Sequence, residues 1–507
     1  MKKIYILLLG VFMVSCSNDF LNLSPQSYSN EAIFFQTESH FTQALNGVYE
    51  RLRGVTGVQG WVIGEMRSDN THYIRNNADR GDQFVFREDI ADFINTDQNQ
   101  WSNEMYYCCY AGISRANTIL NRIKDKNFSE EFTNSIIGEA KFLRAFYYFQ
   151  LTQIFGGVPL YLEEVTGAND VFLPRASVDD VYKQIIMDVS DAIKKLKVPE
   201  FPQTGRATQG SARMLLAKVL MTKPERDYVG AEAELREIMK MGYDLEQNYK
   251  DVFETSNKNN KESLFEVQYQ QGDQGQQSDW LYYFVPRTAD ASLITGVPDC
   301  STLNWGGWNT PTQDLIDSYE MGDLRMSFSI AVAGGYNDEN EQFVCEKVFA
   351  LSEMDDYDYP VEYYFINKYR HAHSKIYNTD DNWPIYRYAD VLLLLAECTL
   401  HNGNIPETLS LVNRVRGRAG LGELVNVTED DIANERRHEF AFENQRWYDL
   451  VRTGKAIEVM NTYGQNMKIE YPYLQERTYN VTEQKLIFPI PYREMQINSL
   501  LIQNDGY

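Results

Sequence analysis

Residues 138–160 read GEAKFLRAFYYFQLTQIFGGVPL, and apolar side chains recur there at helical spacing. The same spacing begins earlier, so that it covers residues 129–155. Gly156, Gly157 and Pro159 follow directly. Glycine and proline disfavour helical backbone, so this combination is typical of a helix end. The sequence therefore predicts a long helix over 129–155 that stops at the glycine pair.

Helical spacing is also found on both sides of this segment. It predicts further helices over 29–53, 99–124, 178–196, 208–222, 229–241, 385–401, 405–418 and 428–452. Segment 385–401 is apolar nearly all round, which is typical of a helix buried in a bundle. Repeated helix pairs of this length are similar to tetratricopeptide stacking, although no clean period of about 34 residues can be written. The predicted fold class is mainly α, a tetratricopeptide-like helix-pair superhelix.

The stretch 243–384 has a different texture. It is rich in Gly, Asn, Asp and Gln with scattered aromatic residues, and it contains short strand-like runs such as 264–269. Such composition is typical of surface loops that carry binding residues. We therefore expect a loop-rich, mixed second lobe between two helical regions.

The cluster that looks most like a chemical site lies in the predicted helix 428–452. Glu435, Glu439 and Glu443 recur every fourth residue and would share one face. Three stacked carboxylates repel one another unless cations lie near. Arginines are plentiful on this helix and its neighbour, at Arg414, Arg416, Arg418, Arg436, Arg437, Arg446 and Arg452. We interpret the cluster as a structural ion-pair network, and the alternative is an acid/base or metal site.

Other candidate sites have weaker patterns. His371 and His373 are interpreted as exposed loop histidines, since a third metal ligand is not evident. The acidic runs 337–340 and 355–358 lack the glycine and final glutamate of a calcium loop and are interpreted as solvated loops. The chain has no Gly-x-Ser-x-Gly elbow, phosphate loop or dinucleotide fingerprint. We expect no catalytic residue, no cofactor and no metal.

Composition restricts the class of protein. The chain has 507 residues, of which 43% are hydrophobic and 24% charged, as is usual for a globular protein. The formal net charge of −24 argues against nucleic acid as a partner. Besides Cys16 there are five cysteines without paired spacing, and the adjacent Cys108 and Cys109 are interpreted as packed thiols.

The N-terminus has the form of an export signal. Lys2 and Lys3 precede an apolar run over 4–14, which ends at Ser15 and Cys16. The run is too short to cross a bilayer, which needs roughly 20 residues. A small residue before a cysteine resembles the bacterial lipobox, so we expect Cys16 to carry acyl chains that hold the protein on a membrane. The alternative is an ordinary secretory signal followed by a chance cysteine.

Several segments resemble one family along nearly the whole chain. They occur in the family's order at 138–149, 155–160, 387–397, 413–420, 435–450 and 489–507. Together with the lipobox they resemble the SusD/RagB family of outer-membrane nutrient-binding lipoproteins, which are similar to component D of the starch-utilisation system. The resemblance implies a tetratricopeptide-like helical fold with a looped second lobe.

The resemblance also implies a function. Members act as a lid over a SusC-like TonB-dependent transporter, mostly bind an oligo- or polysaccharide, and are not enzymes. The expected location is the outer membrane, lipid-anchored and facing the cell exterior. The alternatives are a peptide-uptake lipoprotein, a surface glycosidase or other enzyme, and a structural or adhesive surface protein. The expected regions are a signal peptide, an anchored linker, an N-terminal helical region, a loop-rich ligand-facing insertion and a C-terminal helical region, over 1–15, 16–28, 29–242, 243–384 and 385–507.

The glycan site is predicted from the chemistry of sugars, which stack on aromatic rings and form hydrogen bonds with polar side chains. The insertion offers a predicted aromatic platform of Trp280, Tyr282, Tyr283, Trp305 and Trp308. The first helical region offers a polar loop with Asp69, Asn70, His72, Tyr73 and Arg75. For each aromatic residue the alternative is that its ring fills a small core beneath the loops.

Overall fold

The computed structural model of the chain describes residues 34–167 and 171–507. The predicted signal segment and Cys16 lie outside these residues. Within the described part, no helix is both long and apolar enough to cross a membrane.

The first half of the described chain is helical, as predicted. Its helices are α1 (Glu38–Val55), α2 (Val58–Gly64), α3 (Asp82–Ala91), α4 (Gln100–Arg122), α5 (Glu130–Phe155), α6 (Val178–Lys195), α7 (Gln209–Thr222) and α8 (Tyr228–Ile238). Helix α1 begins later than the predicted residue 29, because Thr37 caps it by accepting a hydrogen bond from the His40 N–H. Ser129 caps α5 in the same way, and Gly156 ends α5 with a positive φ of 72°.

The C-terminal region is helical as well. Its helices are α13 (Tyr388–His401), α14 (Ile405–Arg418), α15 (Glu429–Glu439), α16 (Arg446–Arg452), α17 (Ala456–Glu470) and α18 (Tyr492–Ile497). Consecutive helices from α4 to α8 pack side by side, and α8 packs on α13, which pairs with α14. Helices from before and after the loop-rich insertion therefore form one continuous stack. This confirms the predicted mainly α fold of stacked helix pairs.

The middle of the chain is loop-rich, with short elements only. Its helices are α9 (Leu281–Phe284), α10 (Ser292–Thr295), α11 (Gln313–Ser318) and α12 (Leu324–Ser329). Its strands are β2 (Ser263–Val267), β3 (Thr310–Pro311), β4 (Ile330–Asn337), β5 (Phe343–Ala350), β6 (Val361–Ile366) and β7 (Trp383–Arg387), and β1 (Thr71–His72) joins them from the first half. The sheets are antiparallel and pair β1 with β3, β2 with β7, and β4 with both β5 and β6. Between residues 281 and 365 this region has a small hydrophobic core of its own.

The predicted helix over 428–452 is wrong as one element. Residues 440–445 separate α15 from α16, and Phe442 and Asn444 there have positive φ values of 70° and 60°. The cause is tertiary, because the buried Glu65 carboxylate accepts hydrogen bonds from the Phe442 N–H at 3.0 Å and the Asn444 N–H at 2.9 Å. The Glu65 carboxylate, directly after α2, therefore stabilises a non-helical backbone at residues 440–445.

The glutamate cluster is an ion-pair network, as we interpreted it. Glu435 and Glu439 lie on α15, whereas Glu443 lies in the break, and all three are buried. Their carboxylates contact Arg325, Arg387, Arg416, Arg418 and Lys368. Arg325 and Lys368 come from the loop-rich region, so the network joins this region to the C-terminal helices.

The cysteine interpretation is also confirmed. Cys108 and Cys109 are buried free thiols on α4, and Cys109 lies in the main hydrophobic core. Burial raises the pKa of the Cys109 thiol well above its usual value. Both thiols therefore act as packing groups.

Candidate functional site

The predicted polar loop and the predicted aromatic residues meet where β1 pairs with β3. Thr71 lies opposite Pro311 and His72 opposite Thr310 in this short ladder. The contact continues beyond it, since the Ile74 N–H donates to the Gly307 carbonyl oxygen at 2.8 Å. Loop 69–77 and loop 305–312 are therefore one continuous edge of the molecule.

Asp69 and Asn70 are buried beneath this edge rather than open to a ligand. The Asp69 carboxylate accepts two hydrogen bonds from Arg446, both 2.8 Å long. Burial alone would raise the pKa of Asp69, but Arg437 and Arg446 hold it well below its usual value. Asn70 accepts from Arg437 at 2.9 Å and donates to Glu65 at 2.9 Å. Both residues are buried and position the loop, and a contact between them and a ligand stays a prediction.

Three of the predicted platform rings are buried. Trp280 packs edge-on against Trp383, with ring centroids 5.2 Å apart. Tyr282 lies in the small core of the loop-rich region. Trp308 packs edge-on against Trp61 at 5.6 Å, and the Arg87 guanidinium lies 4.0 Å from its ring centroid. Their expected exposure is wrong, because these rings fill the core beneath the loops, which is the alternative we considered.

Trp305 has an open ring. Its side chain is 38% exposed, and one face stacks on buried Phe84 with centroids 5.7 Å apart and an angle of 22°. The Phe84 contact fixes the ring while the remaining surface faces solvent. A side chain at Gly306 would collide with the Val285 carbonyl oxygen, and Gly307 has a φ of 81°. The glycine pair therefore lets the loop lie close enough to hold Trp305 in this position.

Tyr283 is intermediate between these cases. It is half-buried, with ring centroids 5.7 Å from Trp61 and 5.6 Å from Trp308. It therefore supports the tryptophans below the edge and leaves part of its ring accessible.

A groove adjoins the edge, and three of the predicted residues line it, His72, Tyr73 and Arg75. We call it the tyrosine groove. Its volume, including the part that is open to solvent, is about 1100 Å³. Its walls are formed by residues 72–77 and 310–313, by 362–364 on β6, and by Met467, Glu470, Tyr471 and Tyr473 at the end of α17. The sequence analysis missed Tyr471 and Tyr473. The signal for them was a Tyr-Pro-Tyr run directly after a helix.

His72 organises the back of the tyrosine groove. Its Nε2 lies 3.1 Å from the Tyr473 hydroxyl and its Nδ1 3.3 Å from the Tyr479 hydroxyl. Burial, with a contribution from Arg87, lowers the pKa of His72 to about 3. The ring is therefore neutral at physiological pH, and it orients two tyrosine hydroxyls without bringing charge into the groove.

His371 and His373 are half-buried and hydrogen-bonded, so the expectation of exposed loop histidines is wrong. His371 Nδ1 lies 2.5 Å from an Asp381 carboxylate oxygen, and His373 Nε2 lies 2.6 Å from the Tyr282 hydroxyl. Among residues 34–167 and 171–507, no three His, Cys, Asp or Glu side chains are grouped as a metal site requires.

Two family models match the chain. The model described as the SusD family matches residues 261–507, and the model described as starch-binding, associating with outer membrane, matches residues 19–221. Together they cover most of the chain.

Individual relatives agree with these models. A SusD-like protein of Bacteroides ovatus is 28% identical, over 89% of this chain and 82% of the relative. SusD-like protein P38 of Formosa agariphila is 25% identical, over 99% of this chain and 98% of the relative. The solved structure of a laminarin-binding SusD-like protein has a TM-score of 0.74 and 27% identity, and the match covers 93% of this chain and all of that one. The chain belongs to the SusD/RagB family.

Proposed function

We propose that the protein binds an oligo- or polysaccharide at the bacterial cell surface and delivers it unchanged to a SusC-like TonB-dependent transporter. Trp305 is the observation that carries the proposal, because it presents a fixed, partly open indole ring among polar loops. Rings of this kind suit the apolar faces of sugars. The starch-binding family description and the laminarin-binding relative support a glycan as the ligand class.

The proposed location follows from the same sources. The family description names association with the outer membrane. We propose that acyl chains on Cys16 provide the anchor and that the protein faces the cell exterior. The acidic chain would be repelled by anionic head groups, so a covalent anchor is more suitable than a basic surface. The region boundaries given above complete this proposal, with 243–384 as the ligand-facing insertion.

Replacing Trp305 by alanine is expected to weaken glycan binding about twofold to tenfold, since an aromatic contact contributes roughly 0.5–1.5 kcal/mol and 1.4 kcal/mol is tenfold. The measurement is retention of the purified protein in native gels that contain laminarin, starch or other polysaccharides. Tyr107→Ala is the matched control, because Tyr107 is an exposed ring on α4 and belongs to neither loop of the edge. The control should be retained like the wild type.

Three results would contradict the proposal. Equal retention of Trp305→Ala and the wild type would exclude Trp305 from the site. If no polysaccharide retains the protein but immobilised peptide mixtures do, the result would favour peptide uptake. Release of new reducing ends from a retained polysaccharide would show a glycosidase instead.

A further inference from the structure

The floor of the tyrosine groove is built from aromatic rings in mutual contact. The His72 centroid lies 4.1 Å from Tyr73 and 5.0 Å from Tyr471, and Tyr471 lies 5.6 Å from Tyr473. The Arg75 guanidinium lies 4.8 Å from the Tyr473 centroid. Tyr471 and Tyr473 are half-buried, so each ring is held by its neighbours and still faces the groove. Tyr471 and Tyr473 therefore offer partly exposed rings to the groove, whereas His72 and Tyr73 are buried.

Two exposed amide side chains, Asn77 and Gln313, line the groove as well. An amide both donates and accepts hydrogen bonds. Such side chains suit a ligand rich in hydroxyl groups, which also donate and accept.

The groove continues directly from the edge that carries Trp305. Trp305 is two residues from Gly307, whose carbonyl oxygen accepts the Ile74 N–H. Arg287 stabilises this contact between the two loops, because it donates hydrogen bonds to the backbone carbonyl oxygens of Ile74 at 3.2 Å and Arg75 at 3.0 Å. The side chains of residues 73–75 already line the groove. Trp305 and the groove are therefore adjacent along this edge.

The charges of the groove indicate what kind of sugar it accepts. Among the described residues that line it, Arg75 is the one guanidinium or ammonium group, whereas Glu362 and Glu470 both carry carboxylates. A uronate or sulfated chain would meet more negative than positive charge at close range. Uncharged sugar units avoid this repulsion.

We propose that the tyrosine groove is a second subsite that binds further units of the glycan held on Trp305, and that this glycan is an uncharged oligosaccharide of several units. The inference rests on the proposed function. It adds Tyr471 and Tyr473 to the binding surface and restricts the ligand class by charge and length.

The test is a length series measured by calorimetry on the whole protein. The probes are the malto- and laminari-oligosaccharides from disaccharide to hexasaccharide. In one of the two series, the wild type should bind the hexasaccharide more tightly than the disaccharide. Tyr471→Ala should weaken hexasaccharide binding about fivefold to tenfold, as for one lost aromatic contact. It should leave disaccharide binding on Trp305 unchanged.

Further variants separate this inference from the proposed function. Tyr471→Phe keeps the ring and should bind like the wild type, which shows that the alanine effect comes from the ring. Trp305→Ala should weaken both lengths. Unchanged binding of both lengths by Trp305→Ala would exclude Trp305 from the glycan site and so reject the observation on which the proposed function rests.

Three results would overturn the subsite alone. In the first, Tyr471→Ala binds the hexasaccharide as tightly as the wild type does. In the second, Tyr471→Ala weakens the binding of disaccharide and hexasaccharide by the same factor. The third is wild-type binding of polygalacturonate in preference to both uncharged series, with affinity falling as sodium chloride rises, because that would show an anionic ligand.

Discussion

Replacing Arg387 by methionine is expected to lower the free energy of unfolding by roughly 3–5 kcal/mol, the usual cost of breaking a buried ion pair by removing one partner. Arg387 is buried and contacts the carboxylates of Glu262 at 2.6 Å, Glu439 at 2.9 Å and Glu443 at 2.7 Å. Methionine fills similar space but leaves these carboxylates with fewer cations. Urea unfolding followed by circular dichroism measures the change.

The control is the same substitution at an exposed position. Arg115 contacts Glu50 at 3.0 Å, and both side chains are more than 40% exposed. Arg115→Met should change the unfolding free energy by about 1 kcal/mol or less, because exposed ion pairs contribute little. If Arg387→Met does not fold, Arg387→Lys keeps the charge and should show a smaller loss. A loss below about 1 kcal/mol for Arg387→Met would contradict a structural role for the network.

The network also explains the structural role of Glu439. Burial alone would raise the pKa of Glu439, but Arg418, Arg387 and Arg325 hold it below its usual value. Glu439 is therefore ionised at physiological pH, and its oxygens are already occupied by guanidinium groups. Such a carboxylate has no free position for a proton or a substrate.

Replacing Gly112 by alanine is expected to lower the free energy of unfolding by about 1–2 kcal/mol. A β-carbon on Gly112 of α4 would lie 2.6 Å from Tyr147 Cζ on α5. Tyr147 cannot move away easily, since it is fully buried and its hydroxyl donates to the Val48 carbonyl oxygen at 2.7 Å. Overpacking costs about 1–3 kcal/mol, which outweighs the gain of up to about 1 kcal/mol from replacing a helical glycine.

Gly417 provides the opposite case on α14. A β-carbon there has no other atom within 4 Å, so only the helix preference changes. Gly417→Ala should therefore raise the unfolding free energy by about 0.5–1 kcal/mol. Thermal and urea unfolding of both variants check the pair. Equal stabilisation of the two would show that α4 and α5 are not packed this closely.

The helices were predictable because their signals are local. The apolar spacing through 129–155 and the glycines that follow predicted α5 to within one residue at each end. The break at 440–445 was not predictable in this way. It depends on Glu65, which is remote in sequence and meets this segment only in the folded chain.

The candidate site was predictable by region and less so by residue. The two segments that the sequence indicates, loop 69–77 and the 305–312 segment, meet in the fold. The exposure of single rings depends on tertiary packing, and sequence does not distinguish Trp305 from Trp308 in this respect. Trp308 lies under Arg87 in the core, whereas Trp305, three residues earlier, stays partly open above Phe84.

The most direct test of glycan capture is a crystal structure of the whole protein soaked with laminarihexaose and, separately, with maltohexaose. We expect one of them to place a sugar ring against the open surface of Trp305, with the chain continuing along residues 74–77 toward Tyr471. A hexasaccharide bound on another face of the molecule, with Trp305 left uncovered, would contradict the account.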